Sequence, residues 1–149
     1  MEELPVTIHG ARVLVMGFGR VGNLTAHRFH ALGAKVSVAA RRWSALAWAE
    51  AYGYETERIG YLDDFLCGYD LIVNTAPGQV LGREQLSRLR PGCLVIDLAS
   101  KPGGVDMEAA ASLGVPVIWA LSLPGKVAPV TSGKIIRDTV YNILSELEG

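Results

Sequence analysis

One stretch, Val13-Leu14-Val15-Met16-Gly17-Phe18-Gly19-Arg20-Val21-Gly22, constrains the fold of this chain more than any other. Apolar residues with strand character run into a Gly-x-Gly-x-x-Gly, and a helical pattern follows from residue 20 to about 32. Strand, glycine turn and helix in that order open a βαβ unit whose turn takes a dinucleotide. Each glycine has its own task there. Gly17 allows the sharp turn at the strand end, Gly19 lets backbone approach a pyrophosphate, and Gly22 lets helix and strand pack closely. The helix N-terminus, with Arg20 and Val21 in its first turn, offers unpaired N–H groups and partial positive charge to the anion. A second strand, Lys35-Val36-Ser37-Val38-Ala39-Ala40, follows at βαβ distance and supplies the context the motif requires.

The rest of the chain extends this pattern. Half of its 149 residues are apolar and 17 are glycine, which suits buried parallel strands. The expected fold is α/β, a Rossmann-type doubly wound parallel sheet of about six strands in a single domain. Residues 1–10 read as a connector and 11–149 as the NAD(P)-binding domain. Further strands are expected at 58–61, 69–74, from 93 and at 115–121. Helices are expected at 43–52, 62–66, 82–90, 106–114 and 131–147. The last carries an apolar stripe of Ile136, Val140, Ile143, Leu144 and Leu147. Asp63 or Asp64 should start its short helix, and Gly33 should close the first one.

Composition narrows the partners. A formal net charge of −1 gives no electrostatic reason to expect nucleic acid or an anionic membrane. No apolar run is long enough to span a bilayer and no signal peptide precedes the first strand, so the expected location is cytoplasmic. Cys67 and Cys93 lack metal-type spacing and read as buried or semi-buried thiols. His27 and His30 fall opposite the small apolar face of Gly22, Ala26 and Phe29; with no carboxylate or thiol nearby they read as solvated, and no metal is expected. His9 reads as a linker residue.

The end of the second strand selects the cofactor. NAD-preferring sites usually place an acid there to accept from the ribose 2′-hydroxyl. This chain has Arg41 and Arg42, then Ser44, a set suited to a 2′-phosphate, and Glu50 is too far along to replace the missing acid. NADP is therefore favoured, with NAD left open. Polar Asn74-Thr75 ends a buried strand where ligands bind in open α/β sheets. Asp97, inside an apolar strand, needs a buried hydrogen-bond partner, and Lys101 is the cation placed at that strand's end.

Taken together, these segments resemble the nucleotide-binding half of the dipicolinate synthase A-subunit family. The resemblance runs over nearly the whole chain. It rests on Thr7-Ile8-His9-Gly10, Gly17-Phe18-Gly19-Arg20, Ala34-Lys35-Val36 with Ala40-Arg41, and Asn74-Thr75. The more selective motifs are Asp97-Leu98-Ala99-Ser100-Lys101-Pro102-Gly103-Gly104 and Leu123-Pro124-Gly125-Lys126-Val127-Ala128-Pro129. It implies an oxidoreductase that converts a dihydrodipicolinate-type intermediate to dipicolinate with NADP, for loading of bacterial endospores. It also implies that the partner is a second, flavoprotein-like subunit, and that a substrate domain stands ahead of Thr7, without which the isolated domain is inactive. Gly17, Gly19, Arg20, Val21 and Gly22 would then hold the pyrophosphate, and Arg41, Arg42 and Ser44 the 2′-phosphate. Asn74, Thr75, Pro77, Ala99 and Ser100 would line the ribose and nicotinamide, and Lys101 would meet a substrate carboxylate. No catalytic acid or base is assigned, and homo-oligomerisation stays open. Two other readings stand beside this one: a non-catalytic NAD(P)-binding or partner-binding module, and the nucleotide domain of another two-domain dehydrogenase of the 2-hydroxyacid or alanine type.

Overall fold

A computed structural model describes residues 7–122, 126 and 128–148. They fall into two compact units divided between Trp119 and Ala120. The first unit holds β1 (Arg12–Met16), α1 (Arg20–Ala31), β2 (Lys35–Ala40), α2 (Trp43–Ala51), β3 (Glu55–Arg58), β4 (Leu71–Asn74), α3 (Arg83–Ser87), β5 (Leu94–Asp97), α4 (Met107–Leu113) and β6 (Val117–Trp119). The strands form one parallel sheet in the order β3-β2-β1-β4-β5-β6, the expected Rossmann-type arrangement. Strand order reverses between β1 and β4. Crossovers leave that point on opposite faces, so a crevice opens beyond the carboxyl ends of these two strands.

Period-two alternation divides the core. Val13, Val15, Val38 and Val73 face Ala26 of α1 and Ala49 of α2. Leu14, Met16, Ile72 and Val95 face Leu86 of α3 and Ala109 and Ala110 of α4. Both faces are covered, which is why these strands read as continuous apolar runs. Asp106 caps α4 by accepting from the Ala109 N–H at 2.9 Å. Gly33 has φ +84 directly after α1 and ends it as expected.

Several local expectations are corrected. The third strand is Glu55–Arg58, not 58–61. It is an edge strand with one neighbour and a polar sequence, so no apolar run announces it; its place comes from the register Ser37↔Glu55 through Ala40↔Arg58. Ile59–Asp64 and Leu66–Gly68 are 3₁₀ turns, so Asp63 and Asp64 close a turn rather than start a helix. Asp63 accepts from Gln85 Nε2 at 3.2 Å.

The histidines are not simply solvated. His27 Nδ1 shares a 2.8 Å hydrogen bond with the Tyr54 hydroxyl and sits edge-on to Tyr52, with 4.7 Å between ring centroids. His30 packs edge-on to Tyr54. Burial, then the neighbouring Tyr52, raises the Tyr54 phenol above its ordinary pKa. The aromatic side chains of the turn between α2 and β3 thus cover that face of α1, which periodicity alone leaves open. His9 is more than a linker residue: Gly10 N–H donates to Gly33 O at 2.8 Å, and a side chain at Gly33 would collide with the His9 ring. Cys67 is exposed rather than buried. Cys93 is buried, and desolvation pushes its thiol up to about 12, with Asp70 adding to the rise and Arg90 opposing it.

The second unit is chiefly α5 (Pro129–Glu148), which carries Ile136, Val140 and Ile143. The side chains of Leu144 and Leu147, and residues 123–125 and 127 of the expected second loop, lie outside the described residues. No described helix is long and apolar enough to cross a membrane.

Candidate nucleotide-binding cleft

The glycine turn is built by contacts that only its own residue types permit. Gly17 has φ +91 and donates its N–H to Ala39 O at 2.7 Å, joining the ends of β1 and β2. A Cβ on Gly17 would lie 2.7 Å from Thr75 Oγ1, and one on Gly22 would run into the Gly17 carbonyl. Thr75 closes the structure from the β4 side. Its hydroxyl donates to Met16 O at 3.0 Å and Gly17 O at 3.3 Å, and its N–H donates to Met16 O at 2.7 Å.

Gly19 differs from these two. A Cβ there would meet nothing within 4 Å and would project into open space. It precedes α1, which has no side-chain cap and no acid in its first turn. The first intrahelical bond runs from Asn23 N–H to Gly19 O at 2.9 Å, so the N–H groups of Arg20, Val21 and Gly22 have no acceptor within the helix. Unpartnered donors, the positive end of a twelve-residue helix and a missing side chain over them fit the pyrophosphate of a dinucleotide.

A cleft of about 510 Å³ extends from this turn. The structure brings Gly17, Gly19, Arg20, Val21, Gly22, Arg41, Arg42, Thr75 and Pro77 to its walls, as the sequence suggested. It adds Phe18, Ala40, Ala45, Ile59 and Ala76. Ile59 carries no motif; it arrives because the register of β3 delivers the following turn to the end of β2. Arg41 reaches across the cleft, its Nη2 being 3.9 Å from where a Gly78 Cβ would sit. No Asp, Glu, His or Lys is among the described lining residues. The outer side of the glycine turn opens into a shallower depression of about 580 Å³ with Trp48 and Tyr52 on its walls.

Five suggested site residues are not on the cleft. Asn74 is fully buried and spends its amide internally. Its Nδ2 donates to Asp97 Oδ1 at 2.9 Å and Ala76 O at 3.3 Å, and its Oδ1 accepts from the Ala76 N–H at 3.1 Å. Asp97 has the buried partners it required: besides Asn74 it accepts from the N–H groups of Ala99 at 3.0 Å and Gly104 at 2.7 Å. Asn74 therefore shapes the loop and does not face a ligand. Ala99 is buried, with its carbonyl accepting from Trp119 Nε1 at 3.2 Å. Ser100 and Lys101 are exposed at the exit of β5, and Ser44 is exposed in the first turn of α2. The described residues contain no His, Cys, Asp and Glu group suited to a metal ion.

This geometry defines a class, and comparison with known proteins agrees with it. Residues 2–111 match the D-isomer specific 2-hydroxyacid dehydrogenase, NAD binding domain, and the chain belongs to that family. It is a nicotinamide-nucleotide-binding domain of an oxidoreductase. Within that class, its likeness is to the A-subunit of dipicolinate synthase. The A-subunit from Bacillus subtilis (strain 168) is 39% identical over 148 residues, 99% of this chain and 50% of that protein. The crystal structure of the dipicolinate synthase A chain from Bacillus subtilis superposes with TM-score 0.92 at 38% identity, over 97% of this chain and 48% of that one. The crystal structure of its counterpart from Bacillus halodurans gives TM-score 0.90 at 42% identity, over 94% and 48%. The resemblance read from the loops is thus upheld, and the chain spans about half the length of these relatives.

Proposed function

We propose that this chain is the nucleotide-binding part of an NADP-dependent oxidoreductase that converts a dihydrodipicolinate-type intermediate to dipicolinate during sporulation. The observation that carries the cofactor choice is the β2 exit: Arg41 and Arg42 line the cleft and no carboxylate is among its described lining residues. A 2′-phosphate suits two guanidinium groups, whereas a free 2′-hydroxyl wants an acceptor. The substrate assignment rests on the likeness to the dipicolinate synthase A-subunit.

In this reading residues 11–149 form the NAD(P)-binding domain, after a connector of residues 1–10. The N–H groups of Arg20, Val21 and Gly22 take the pyrophosphate, Arg41 and Arg42 the 2′-phosphate, and Thr75 and Pro77 the nicotinamide side of the cleft. Ser44 and Ser100, exposed beside the cleft rather than on its walls, make no contact in this reading. Lys101 orients a substrate carboxylate from the β5 exit. When bound, NADP supplies the hydride acceptor, and the chain positions it and excludes water. Aromatisation of the dihydropyridine also releases a proton. The described cleft walls offer no base, so that proton leaves to water or to a group of a substrate domain. The working protein is cytoplasmic and its partner is a second, flavoprotein-like subunit, while sedimentation would establish whether it self-associates.

Titration calorimetry with NADPH and NADH tests the phosphate site. Arg41→Ala should cost NADPH on the order of 1.5–3 kcal/mol and leave NADH unchanged. An unaltered NADPH/NADH affinity ratio would discard the assignment. In the complete two-domain protein, Lys101→Met should raise the KM for substrate while sparing cofactor affinity; equal substrate binding removes Lys101 from the site. The family match favours one second reading, the nucleotide domain of a 2-hydroxyacid dehydrogenase. Dipicolinate formation by the complete two-domain protein, against oxidation of 2-hydroxy acids, separates the two.

A further inference from the structure

Arg58, at the carboxyl end of β3, pairs in register with Ala40, the last residue of β2 before Arg41 and Arg42. In-register residues of parallel strands point to the same sheet face, so Arg58 lies on the side of α2, as Thr56 does through its 2.6 Å bond to Glu50. Its guanidinium lies over two aromatic rings. The Cζ is 4.8 Å from the centroid of Trp43, in the first turn of α2, and 5.9 Å from that of Tyr61. Both rings are about two-thirds exposed, at 67% and 66%, although each has an apolar body that burial would favour. Their position is explained by what they hold.

The charge around Arg58 is unbalanced. Glu55 and Glu57 alternate to the opposite sheet face, where Glu55 accepts from Ser37 Oγ at 3.2 Å. Glu50 is taken up by Thr56. Ion pairs among the described residues involve Arg88, Arg90 and Arg137, and none involves Arg41, Arg42 or Arg58. Arg41 and Arg42 line the cleft with no carboxylate among its described walls, and Arg58 follows from the adjacent strand end, in register with Ala40 and one residue before Ile59, which does line it. Stacking on the two rings restricts the long Arg58 side chain before any ligand arrives, which lowers the entropy lost on contact.

Building on the NADP reading above, we infer that Arg58, oriented by Trp43 and Tyr61, is a third specificity-determining cation for the 2′-phosphate of the cofactor. It acts from β3, outside the loop after β2 that carries Arg41 and Arg42.

The test is titration calorimetry of the full chain with NADPH and with NADH, at low and high salt. Wild type should bind NADPH more tightly, and the margin should shrink as salt rises. Arg58→Gln should weaken NADPH about tenfold and leave NADH within about twofold. Trp43→Leu, which keeps all three charges but frees the guanidinium, should weaken NADPH by about threefold with NADH unchanged. If wild type prefers NADPH and Arg41→Ala removes the preference while Arg58→Gln and Trp43→Leu both retain it, the role of Arg58 is overturned and the NADP reading stands. If wild type shows no preference, the NADP reading itself falls, and Arg58 with it.

Discussion

The exits of β1 and β2 and the exits of β4 and β5 lie along one edge of one sheet, yet they are finished in opposite ways. At β1 and β2 the polar groups are left over: the first N–H groups of α1 lack acceptors within the helix, and Arg41 and Arg42 form no ion pair among the described residues. At β4 and β5 the side chains of Asn74 and Asp97 satisfy each other and the loop backbone at Ala76, Ala99 and Gly104. The first edge leaves donors and guanidinium groups available, as the proposed pyrophosphate and 2′-phosphate contacts require. The second is a closed support that sets the shape of the loops around it. A polar residue at a strand end is therefore a site residue only when its hydrogen bonds remain to be made. Thr75 stands between the two, with its hydroxyl on the glycine turn and its residue on the cleft wall.

The largest effect should come from breaking the closed side. Asp97→Ala removes the acceptor of the Gly104 and Ala99 N–H groups and leaves Asn74 Nδ2 only its 3.3 Å bond to Ala76 O. Urea unfolding should show a loss on the order of 3–5 kcal/mol. A loss below about 1 kcal/mol would mean that the network is not the support described. On the open side, Gly22→Ala places a methyl group against the Gly17 carbonyl and Thr75 Oγ1. It should cost about 1–3 kcal/mol of stability and weaken both NADPH and NADH by more than about tenfold, since the turn itself must shift. Retention of tight binding would show that the turn is not the pyrophosphate site.

The smallest effect concerns the amino ends of the strands, where no ligand is expected. There Asp70 accepts from Arg12 N–H at 2.9 Å and pairs with Arg90 at 2.5 Å, beside buried Cys93. Burial raises the Cys93 thiol pKa from 9.0 to about 12, so the folded state favours the protonated form. That contribution to stability is complete below pH 9 and declines as the pH rises through about 12. At pH 8 a thiol reagent should label exposed Cys67 quickly and Cys93 only after unfolding. Rapid labelling of both would show that the amino end is as open as the cleft.

Much of this was legible along the chain because it depends on neighbours in sequence. The strand, the glycine turn and the helix are adjacent, so Gly17, Gly19 and Gly22 disclose their spatial roles through spacing alone. Arg41 and Arg42 follow β2 directly, and the end of β2 lies beside the turn in any βαβ unit. The buried partner of Asp97 was a requirement of charge in an apolar strand, although its identity was not readable.

What the sequence by itself determined is the parallel α/β order, the dinucleotide turn and the sign of charge at the β2 exit. These follow from local periodicity, backbone freedom at glycine and covalent adjacency. Tertiary structure alone decided that Asn74 turns inward to Asp97, that Glu55–Arg58 is the edge strand, that Tyr54 covers His27, and that Arg58 stands in register with Ala40 at the β2 exit. Each of those joins residues from separate strands or helices. Register and face, which one-dimensional spacing does not carry across a crossover, choose the partners.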